Sequence, residues 1–269
     1  MITASIVTYS NCSELDLNSY NEIILKKCIL SLCNNNLVSN VLIVDNSPKA
    51  LFSWCLELNN KVMYYHTKGS NLGYGKAHNL SKKLIKLSKY HIIVNPDIVF
   101  TDNNCINKLF TIMEENKDIA LVQPLIKSYP DGNIQKLCKR NPTFLIQFIR
   151  LFPALINKLK WIKSYNEWYE MDNIAYKKKE VDSQYLSGCF MFCRVLALNK
   201  VSWFDEDFFM YMEDADLTRR LSRISRCVHI PYIEILHVWA RGNHKKFYLR
   251  IIAIISFFIY SWKWGLKLY

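Results

Sequence analysis

The sequence predicts an α/β fold in which a mostly parallel central sheet is flanked by helices. Short apolar runs rich in β-branched residues alternate along the first half with segments whose apolar residues recur at helical spacing. One of these runs, Val41–Val44, is continuously apolar, and another, His91–Val94, is of the buried type; both end in Asn/Asp/Pro turn signals. Continuous apolar runs are typical of strands buried on both faces, and their alternation with helices indicates a parallel sheet.

The predicted elements of the first half alternate regularly. Strands are predicted at Ile2–Tyr9, Val41–Val44, Val62–His66, His91–Val94 and Ile119–Gln123. Helices are predicted between them, at Asn21–Asn35, Gly75–Leu87 and Asn103–Glu115.

The second half is less regular. Pro130-Asp131-Gly132 marks a tight turn, and Pro153 interrupts an apolar, aromatic and basic segment at Thr143–Lys163. The remaining predictions are a strand, a short helix, a β-rich stretch and a final helix, at Asp182–Arg194, Glu213–Ile224, Cys227–Val238 and Phe247–Trp264.

Length and composition limit the class of protein. A chain of 269 residues forms one large domain or one domain with a small appendage, and 51% hydrophobic residues exclude a disordered chain. The net charge of +12 indicates a polyanionic partner, which can be nucleic acid, an anionic membrane surface or a phosphorylated substrate. Nine scattered cysteines are typical of reduced, mostly buried thiols in a cytosolic protein.

The two ends of the chain predict a cytoplasmic protein. The N-terminus lacks the basic and apolar regions of a signal peptide, and the apolar run Ile251–Trp262 is shorter than the ~20 residues of a spanning helix. Thr143–Lys163 and Phe247–Leu268 mix aromatic and basic residues, as segments at a lipid interface do. Ordinary helices packed on the sheet are the alternative for both.

Polar residues directly follow three of the predicted strands. They are Thr8-Tyr9, Asp45-Asn46 and Asn95-Pro96-Asp97. Because ligands of open parallel sheets bind at the carboxyl ends of the strands, we expect these residues to point into one crevice. Asp and Asn also form simple turns after strands, which remains the alternative for each cluster alone.

A glycine-containing turn precedes the second predicted helix. It reads Asn71-Leu72-Gly73-Tyr74-Gly75-Lys76, and backbone amides at a helix start can face a phosphate, with Lys76 adding charge. A helix start with a glycine turn and no ligand is the alternative.

The segment after Phe209-Met210-Tyr211-Met212 concentrates acidic residues. Glu213, Asp214 and Asp216 lie within four positions, and crowding of like charges raises the pKa of one carboxyl toward that of a usable general base. Arg219 and Arg220, about one helical turn later, can pair with these carboxylates or with a phosphate. The alternative is that the carboxylates only cap the helix, because the positive end of its dipole favours negative charge there.

Taken in order, these motifs resemble the family 2 inverting glycosyltransferases of GT-A fold, and within them the bacterial rhamnosyltransferases. The resemblance extends from about Ile2 to His237 and depends on the ordered set. The matching pieces are Ser5–Tyr9, Val44–Ser47, Asn71–Gly75, Asn95–Asp97, Leu186–Met191, Phe204–Asp216 and His237.

The resemblance implies a role for each matching position. Asp45 would contact the nucleotide base in a slot lined by Thr8 and Tyr9. Asp97 would be the metal-bound carboxylate of the Asp-x-Asp motif, whose first position is Asn95 here, and His237 would be a late metal or diphosphate contact unless it is structural. Asp214 would be the general base within the cluster that includes Glu213 and Asp216. Donor-binding positions of the matching pieces would be Asn71, Gly73, Asn95, Ser187 and Gly188, and the basic residues Lys76, Arg219 and Arg220 beside them are expected to bind the donor as well.

The same resemblance implies the reaction and its partners. The donor would be a nucleotide sugar, with dTDP-L-rhamnose favoured over UDP-hexose or UDP-HexNAc, and the cofactor a divalent cation, Mg²⁺ or Mn²⁺. The acceptor would be a lipid-diphosphate-linked or growing glycan of surface polysaccharide, reached from the inner face of the membrane. Nucleic acid is not expected.

The resemblance also implies a domain organisation. Residues 1–240 would form the catalytic domain, with a nucleotide-sugar half at 1–125 and an acceptor half at 126–240. Residues 241–269 would form an amphipathic extension in contact with the membrane surface.

Two other classes of protein fit parts of the sequence. A sugar-nucleotide pyrophosphorylase would carry a Gly-rich loop with Arg after the first strand, where this chain has Tyr9-Ser10-Asn11-Cys12. An RNA-binding module would suit the charge and the aromatic residues, but the acidic cluster at 213–216 would repel a phosphate backbone.

Overall fold

A nine-stranded mixed sheet forms the centre of the computed structural model, which describes residues 1–83, 88–151, 156, 158–238 and 247–269. The strands are β1 Ile2–Thr8, β2 Val38–Asp45, β3 Val62–His66, β4 Tyr90–Val94, β5 Ile98–Val99, β6 Ile119–Ser128, β7 Cys138–Lys139, β8 Val181–Asp182, β9 Tyr185–Leu186, β10 Phe190–Arg194 and β11 Arg226–His237. The α-helices are α1 Tyr20–Cys33, α2 Tyr74–Asn79, α3 Cys105–Glu115, α4 Phe144–Leu151, α5 Lys160–Tyr169, α6 Val195–Lys200, α7 Glu213–Leu221 and α8 Phe247–Trp264.

The sheet is parallel on one side and mixed on the other. Its order is β3-β2-β1-β4-β10-β6-β11-β5, with β8 paired to β11, while β7 and β9 form a separate pair. The first four strands run parallel, but β10 is antiparallel to both β4 and β6. The α/β class is therefore confirmed, and the sheet is mixed where the sequence predicts a mostly parallel one.

Insertion of β10 joins the two predicted halves. The boundary expected between residues 125 and 126 falls inside β6, and β10 lies between β4 and β6 in one continuous sheet. The two halves thus share a sheet and are not separate layers. The boundary expected after residue 240 lies outside the described residues.

The alternation of side chains along β1 shows how the sheet buries both faces. Ile2, Ala4 and Ile6 face the core under α1 and α3. Thr3 and Ser5 face the opposite side, where they bond to the imidazoles of His91 and His78. The helices α6 and α7 cover that second face farther along the sheet through Leu198, Leu217 and other apolar residues.

Two predicted elements are subdivided in the structure. The helix predicted at Gly75–Leu87 is α2 followed by a 3₁₀ turn at Leu80–Lys83, and 84–87 lie outside the described residues. The strand predicted at Asp182–Arg194 becomes β8, β9 and β10, because each pairs with a different strand and Ser187-Gly188 forms the bend before β10. All nine cysteines are free, and eight of them are buried, as predicted.

The C-terminal helix α8 packs on the domain along one face. Ser256, Phe257 and Tyr260 are buried, whereas Phe258 and Trp262 are 60% and 95% exposed. The following tail returns to α4, where the amides of Phe144 and Leu145 donate to the carbonyls of Lys267 and Leu268. In length and composition α8 meets the requirements for crossing a membrane, and it alone does so among the described helices.

Candidate functional site

A cleft of about 590 Å³ opens at the carboxyl ends of β1 and β4. The predicted residues that line it come from five separate places in the chain. They are Thr8 and Tyr9, Asn95 and Asp97, Ser187 and Gly188, Glu213 and Asp214, and His237. The parallel strands bring the first two pairs to one edge, and β10, α7 and β11 supply the rest.

One wall of the cleft pairs a carboxylate with an imidazole. Asp97 Oδ1 lies 3.2 Å from His237 Nε2, and Asn95 Nδ2 lies 3.4 Å from the same nitrogen. On the other side of the ring, Nδ1 lies 2.9 Å from Gln135 Oε1. Because the Gln135 amide nitrogen donates to the His237 carbonyl, its oxygen is left to accept from Nδ1–H.

This arrangement fits a divalent cation. With the proton on Nδ1, the lone pair of Nε2 faces the Asp97 carboxylate, and a cation between such groups removes their repulsion. An oxygen and an imidazole nitrogen are suitable ligands for Mg²⁺ or Mn²⁺. No group of three or more His, Cys, Asp or Glu side chains gathers within the described ranges, so other ligands would have to come from substrate and water.

The opposite wall holds two adjacent carboxylates with different surroundings. Asp214 Oδ2 accepts from the Gly188 amide at 2.9 Å, and Oδ1 accepts from the Ala215 amide at 2.9 Å. Glu213 is buried, and its Oε2 has no hydrogen-bond partner among the described residues. More donors therefore converge on Asp214 than on Glu213.

Burial raises the pKa of both carboxyls, and the contacts decide which one holds the charge. For Asp214 the rise in pKa is opposed by the Gly188 amide, the charge of Lys139 and a hydrogen bond from Tyr185. For Glu213 burial and the neighbouring Asp214 charge both raise the pKa, well above its usual range. We assign the negative charge to Asp214 because hydrogen bonds and a cation favour the ionised form.

Lys139 is a buried cation that the sequence analysis did not identify. It lies on β7 opposite Tyr185 of β9, with its ammonium 5.0 Å from the centre of that ring. Burial, and to a smaller extent the charge of Arg150, lower the pKa of Lys139 to about 8, while Asp214 opposes the change. Lys139 follows Cys138 and precedes Arg140 in a weakly patterned segment that gives no sequence signal, and neither does Gln135.

The backbone leading into α7 is strained. Tyr211 and Met212 both have positive φ angles, 71° and 64°, immediately before Glu213. Gly188 faces this turn, and a Cβ there would lie 3.3 Å from Asp214 Cβ and 3.2 Å from the Tyr74 ring. The close approach lets the Gly188 amide reach the Asp214 carboxylate.

Asp216 lies away from the cleft, contrary to the sequence expectation of a catalytic role. Its carboxylate is fully buried on the opposite side of α7 and is bonded to Arg220, Lys263 and Trp264. Positions two apart on a helix point in very different directions, which separates Asp216 from Asp214.

Arg219 and Arg220, which the sequence analysis expects to bind the donor, do not line the cleft either. Arg220 pairs with Asp216, and the Arg219 guanidinium lies 4.3 Å from the centre of the Trp264 ring and bonds to Tyr260. Arg219 therefore joins α7 to α8, whereas Arg220 bonds to Asp216 within α7 and donates to the Val201 carbonyl.

The structure places Asp45 in its own loop and not on the cleft surface. Its fully buried carboxylate accepts from the amides of Ser47, Leu51 and Phe52 and from the Tyr64 hydroxyl. In this conformation Asp45 shapes the loop that ends β2, behind the slot formed by Thr8 and Tyr9.

The glycine-containing turn does not form a phosphate cradle either. The Asn71 side chain accepts from the Gly73 amide, and the Tyr74 amide donates to the Phe209 carbonyl. Gly73 is needed because its φ is +77° and a Cβ would lie 2.0 Å from that carbonyl oxygen. Lys76 forms an exposed pair with Glu206. The turn supports the cleft through Tyr74, whose hydroxyl donates to the Gly188 carbonyl.

A second groove of about 680 Å³ lies between the end of α1 and the start of α3. It is lined by asparagines and apolar residues, including Asn34, Asn36, Asn103, Asn104, Asn107 and Phe100. Its ionisable residues are Lys27 and Asp102, and Asp102 is paired with Lys108. The cleft with its two carboxylate-bearing walls is the better candidate for a reactive site.

The two relatives described here, found by sequence comparison, are both named rhamnosyltransferases. The chain is 28% identical over 185 residues to an N-acetylglucosaminyl-diphospho-decaprenol L-rhamnosyltransferase of Mycobacterium tuberculosis, covering 63% of this chain and 56% of that protein. It is 24% identical over 252 residues to the rhamnosyltransferase WbbL of Escherichia coli K12, covering 90% of this chain and 85% of that protein. The chain thus spans about half the length of the mycobacterial relative. No family model matches it.

Comparisons in structure show the fold. A mannosyltransferase of Pyrobaculum calidifontis, solved with GDP-Man and Mn²⁺, matches 99% of this chain and 65% of its own at a TM-score of 0.59 and 13% identity. GalNAc-T7, solved with UDP, GalNAc and Mn²⁺, matches 88% of this chain and 43% of its own at a TM-score of 0.62 and 13% identity. TarS of S. aureus matches 94% of this chain and 64% of its own at a TM-score of 0.56 and 14% identity.

The structural neighbours are GT-A glycosyltransferases, so the expected fold is confirmed. Relatives and neighbours together support one resemblance: this chain has a GT-A fold and is similar to rhamnosyltransferases of glycosyltransferase family 2.

Proposed function

We propose that the chain is an inverting glycosyltransferase that moves a sugar from a nucleotide donor to a glycan acceptor. The observation that carries the proposal is the cleft itself, where Asp97 and His237 form one wall and Glu213 and Asp214 the other. Such a site offers groups for a diphosphate on one side and a proton acceptor on the other.

Asp214 is the general base in this proposal. It takes the proton of the acceptor hydroxyl while the hydroxyl oxygen bonds to the anomeric carbon of the donor sugar. The bond between that carbon and the diphosphate oxygen breaks, and the nucleoside diphosphate leaves with the electron pair. A single displacement inverts the anomeric centre and needs no covalent enzyme intermediate.

Gly188 and Tyr74 keep the base in place. The Gly188 amide donates to Asp214, and its carbonyl accepts from the Tyr74 hydroxyl, so the backbone of Gly188 connects helix α2 to the base. Asn95, Asp97 and His237 face the side where the diphosphate would lie. A divalent cation bound by Asp97 and His237 would supply charge neutralisation of the leaving diphosphate.

The donor in this proposal is dTDP-L-rhamnose, and the acceptor is a lipid-diphosphate-linked glycan of bacterial surface polysaccharide. The supporting observation is that the relatives are named as rhamnosyltransferases, in one case with an N-acetylglucosaminyl-diphospho-decaprenol as the acceptor. UDP-hexose or UDP-HexNAc on the same site is the alternative donor.

The proposed location is the cytoplasmic face of the cell membrane, as a peripheral protein. The support is the exposed apolar face of α8, which includes Ile255, Phe258 and Trp262, together with Phe144 and Phe148 on the adjoining α4. An apolar surface of this kind suits the interface at which a lipid-linked acceptor lies.

A panel of nucleotide sugars tests the proposal. The purified chain is incubated with dTDP-L-rhamnose, UDP-glucose, UDP-GlcNAc and GDP-mannose, each with Mg²⁺, Mn²⁺ or EDTA, and nucleoside diphosphate release is measured with and without a lipid-diphosphate-GlcNAc acceptor. We expect acceptor-dependent release from dTDP-L-rhamnose. Release from a UDP sugar alone would support the alternative donor, and no release from any donor would contradict the glycosyltransferase proposal.

A further inference from the structure

The side of α7 that faces away from the cleft carries a buried charge network with α8. The carboxylate of Asp216 is 0% exposed. Its Oδ1 accepts from Lys263 Nζ at 2.9 Å and from Trp264 Nε1 at 2.8 Å, and its Oδ2 accepts from Arg220 Nε at 2.8 Å. Two of the three side chains that bond to Asp216 therefore belong to the C-terminal helix.

Aromatic rings and guanidinium groups extend the same contact. The Arg219 and Arg223 guanidinium groups each lie 4.3 Å from the centre of the Trp264 ring, and Arg219 donates to the Tyr260 hydroxyl at 2.9 Å. Lys263 also pairs with Asp205. Trp264 is thus in contact with three residues of the segment 216–223, and its replacement would loosen all of them.

A second set of contacts reaches the strained turn before α7. Ser256 Oγ donates to the Met210 carbonyl at 2.8 Å, and Phe257 packs in one cluster with Phe208, Met212 and Ala215. Two consecutive positive φ angles at Tyr211 and Met212 persist only where the surroundings hold them. The helix α8 therefore contacts both the turn that delivers Glu213 and Asp214 and the far side of the helix that carries them.

We propose that Lys263 and Trp264 are positioning residues for the candidate general base, acting through Asp216 to hold the first turn of α7 against Gly188. This inference depends on the proposed function in that Asp214 is taken as the base. Asp214 and Asp216 lie within one rigid turn, so a rotation of α7 that hydrates an Asp216 Oδ1 left short of donors must also move Asp214 away from the Gly188 amide.

The free-energy cost of a poorly compensated buried charge explains why losing a partner of Asp216 would move α7. Removing Lys263 leaves Arg220 as the one cation bonded to the buried Asp216 carboxylate among the described residues, and removing the Trp264 N–H takes a donor from Oδ1. A buried charge that has lost part of its compensation favours movements that hydrate it. A displacement of about 1 Å in a reacting group lowers the rate by roughly 10²-fold. The donor-side residues Asn95, Asp97 and His237 lie on other elements and would stay in place.

The chain offers matched controls for the test. Trp264→Phe removes the N–H donor and keeps an aromatic ring beside Arg219 and Arg223, and its control is Trp262→Phe, two positions away on the 95% exposed side. Lys263→Met removes the ammonium and keeps the length of the side chain, with Lys263→Arg as the conservative variant. Lys200→Met at an exposed site is the control for loss of charge.

Hydrogen–deuterium exchange of the full chain is the readout that does not depend on activity. We expect Lys263→Met and Trp264→Phe to increase deuterium uptake in peptides covering 210–218 and to leave β1 and β4 unchanged, whereas Trp262→Phe and Lys200→Met match the parent. Unchanged uptake at 210–218 would overturn the proposal. An equal increase throughout the sheet would also overturn it, because that is general destabilisation.

Kinetics with the donor that the parent turns over is the second readout. We expect kcat to fall by at least about tenfold in Lys263→Met, with the nucleotide Kd unchanged and with partial recovery in Lys263→Arg. A fall in nucleotide affinity that matches the fall in kcat would contradict positioning of the base. If the parent turns over no nucleotide sugar, the proposed function fails, and the exchange experiment still decides whether α8 anchors the first turn of α7.

Discussion

Asp214 and Glu213 are adjacent in the chain, yet the structure gives them different protonation behaviour. Two backbone amides donate to Asp214, whereas Glu213 has an oxygen without a partner among the described residues. Two buried carboxyls this close favour one shared negative charge, and the donors place it on Asp214.

The first prediction concerns the base itself. Asp214→Asn keeps the shape of the side chain and removes its ability to accept a proton, so kcat should fall by at least ~10²-fold while nucleotide Kd changes little. Steady-state kinetics and calorimetric titration with the nucleotide measure the two quantities, and Asp207→Asn at an exposed site is the control. Near-normal turnover in a folded Asp214→Asn protein would contradict this role.

The second prediction concerns Lys139. A nearby cation favours the ionised form of a carboxyl, so Lys139→Met should raise the pKa of Asp214 further. Because the base is active only when it is ionised, the acidic limb of the kcat profile should move to higher pH. Lys139→Arg should restore much of the original profile, and an unmoved acidic limb in Lys139→Met would separate Lys139 from the base.

The third prediction concerns the cation ligands. Asp97→Ala should weaken nucleotide binding in the presence of Mg²⁺ or Mn²⁺ and change it little in EDTA, because the carboxylate acts through the metal. Titration of the nucleotide under both conditions measures the difference, with Asp131→Ala at an exposed turn as the control. If the parent binds nucleotide equally well with and without metal, the metal assignment is wrong.

At the scale of the element, α8 has two faces with different roles. One face packs against α4 and α7, and the other presents Ile251, Ile255, Phe258 and Trp262 to solvent. Lys263, which in the sequence flanks the apolar run as a candidate lipid contact, is bonded to Asp205 and Asp216 instead. Deleting the helix would therefore remove both Oδ1 donors of Asp216 as well as the exposed face, so substitutions on that face alone are the cleaner test.

The fourth prediction follows from these two faces. The double substitution Phe258→Ser and Trp262→Ser should abolish sedimentation with liposomes containing anionic lipid and leave the melting temperature close to that of the parent, because both side chains are exposed. Binding of the parent should weaken with salt, since each basic residue near such a surface contributes about 1 kcal/mol. Absence of parent binding at any salt concentration would contradict membrane docking by α8.

At the scale of the whole molecule, the sheet encloses neutral histidines. Burial lowers the pKa of His91 to about 3 and that of His229 to about 4. Neither ring nitrogen of His229 has a hydrogen-bond partner among the described residues, and its ring contacts Tyr176 edge-on. Since an unfolded histidine has a pKa of about 6.5, the unfolded state binds the proton first as the pH falls.

The fifth prediction concerns acid stability. A lowered histidine pKa in the fold means that the free energy of unfolding decreases as the pH falls from about 6.5 to about 4, by about 1.4 kcal/mol per pH unit for each such histidine. His229→Leu should therefore flatten this pH dependence by about that amount. Urea unfolding from pH 4 to 7.5 measures the difference, and parallel curves for parent and variant would show that His229 is not neutral in the fold.

The order of elements could be predicted from the sequence because its signals are local. Apolar runs, helical spacing and turn residues predict β1, β3 and α8 closely. The strand ends also correctly identify Thr8, Asn95 and Asp97 as residues of the cleft, since parallel strands present their carboxyl ends at one edge.

The direction in which a side chain points could be settled only by the tertiary structure. Glu213, Asp214 and Asp216 form one acidic cluster in the sequence, but packing of α7 between the cleft and α8 turns Asp216 and both arginines away from the site. Likewise, Gln135 and Lys139 reach the site through strand pairing and the fold of the chain, which no local pattern encodes. The sequence by itself determined the fold class and the chemical groups available, because these depend on local propensity and residue type. The tertiary structure decided which of those groups meet, because that depends on contacts between residues far apart in the chain.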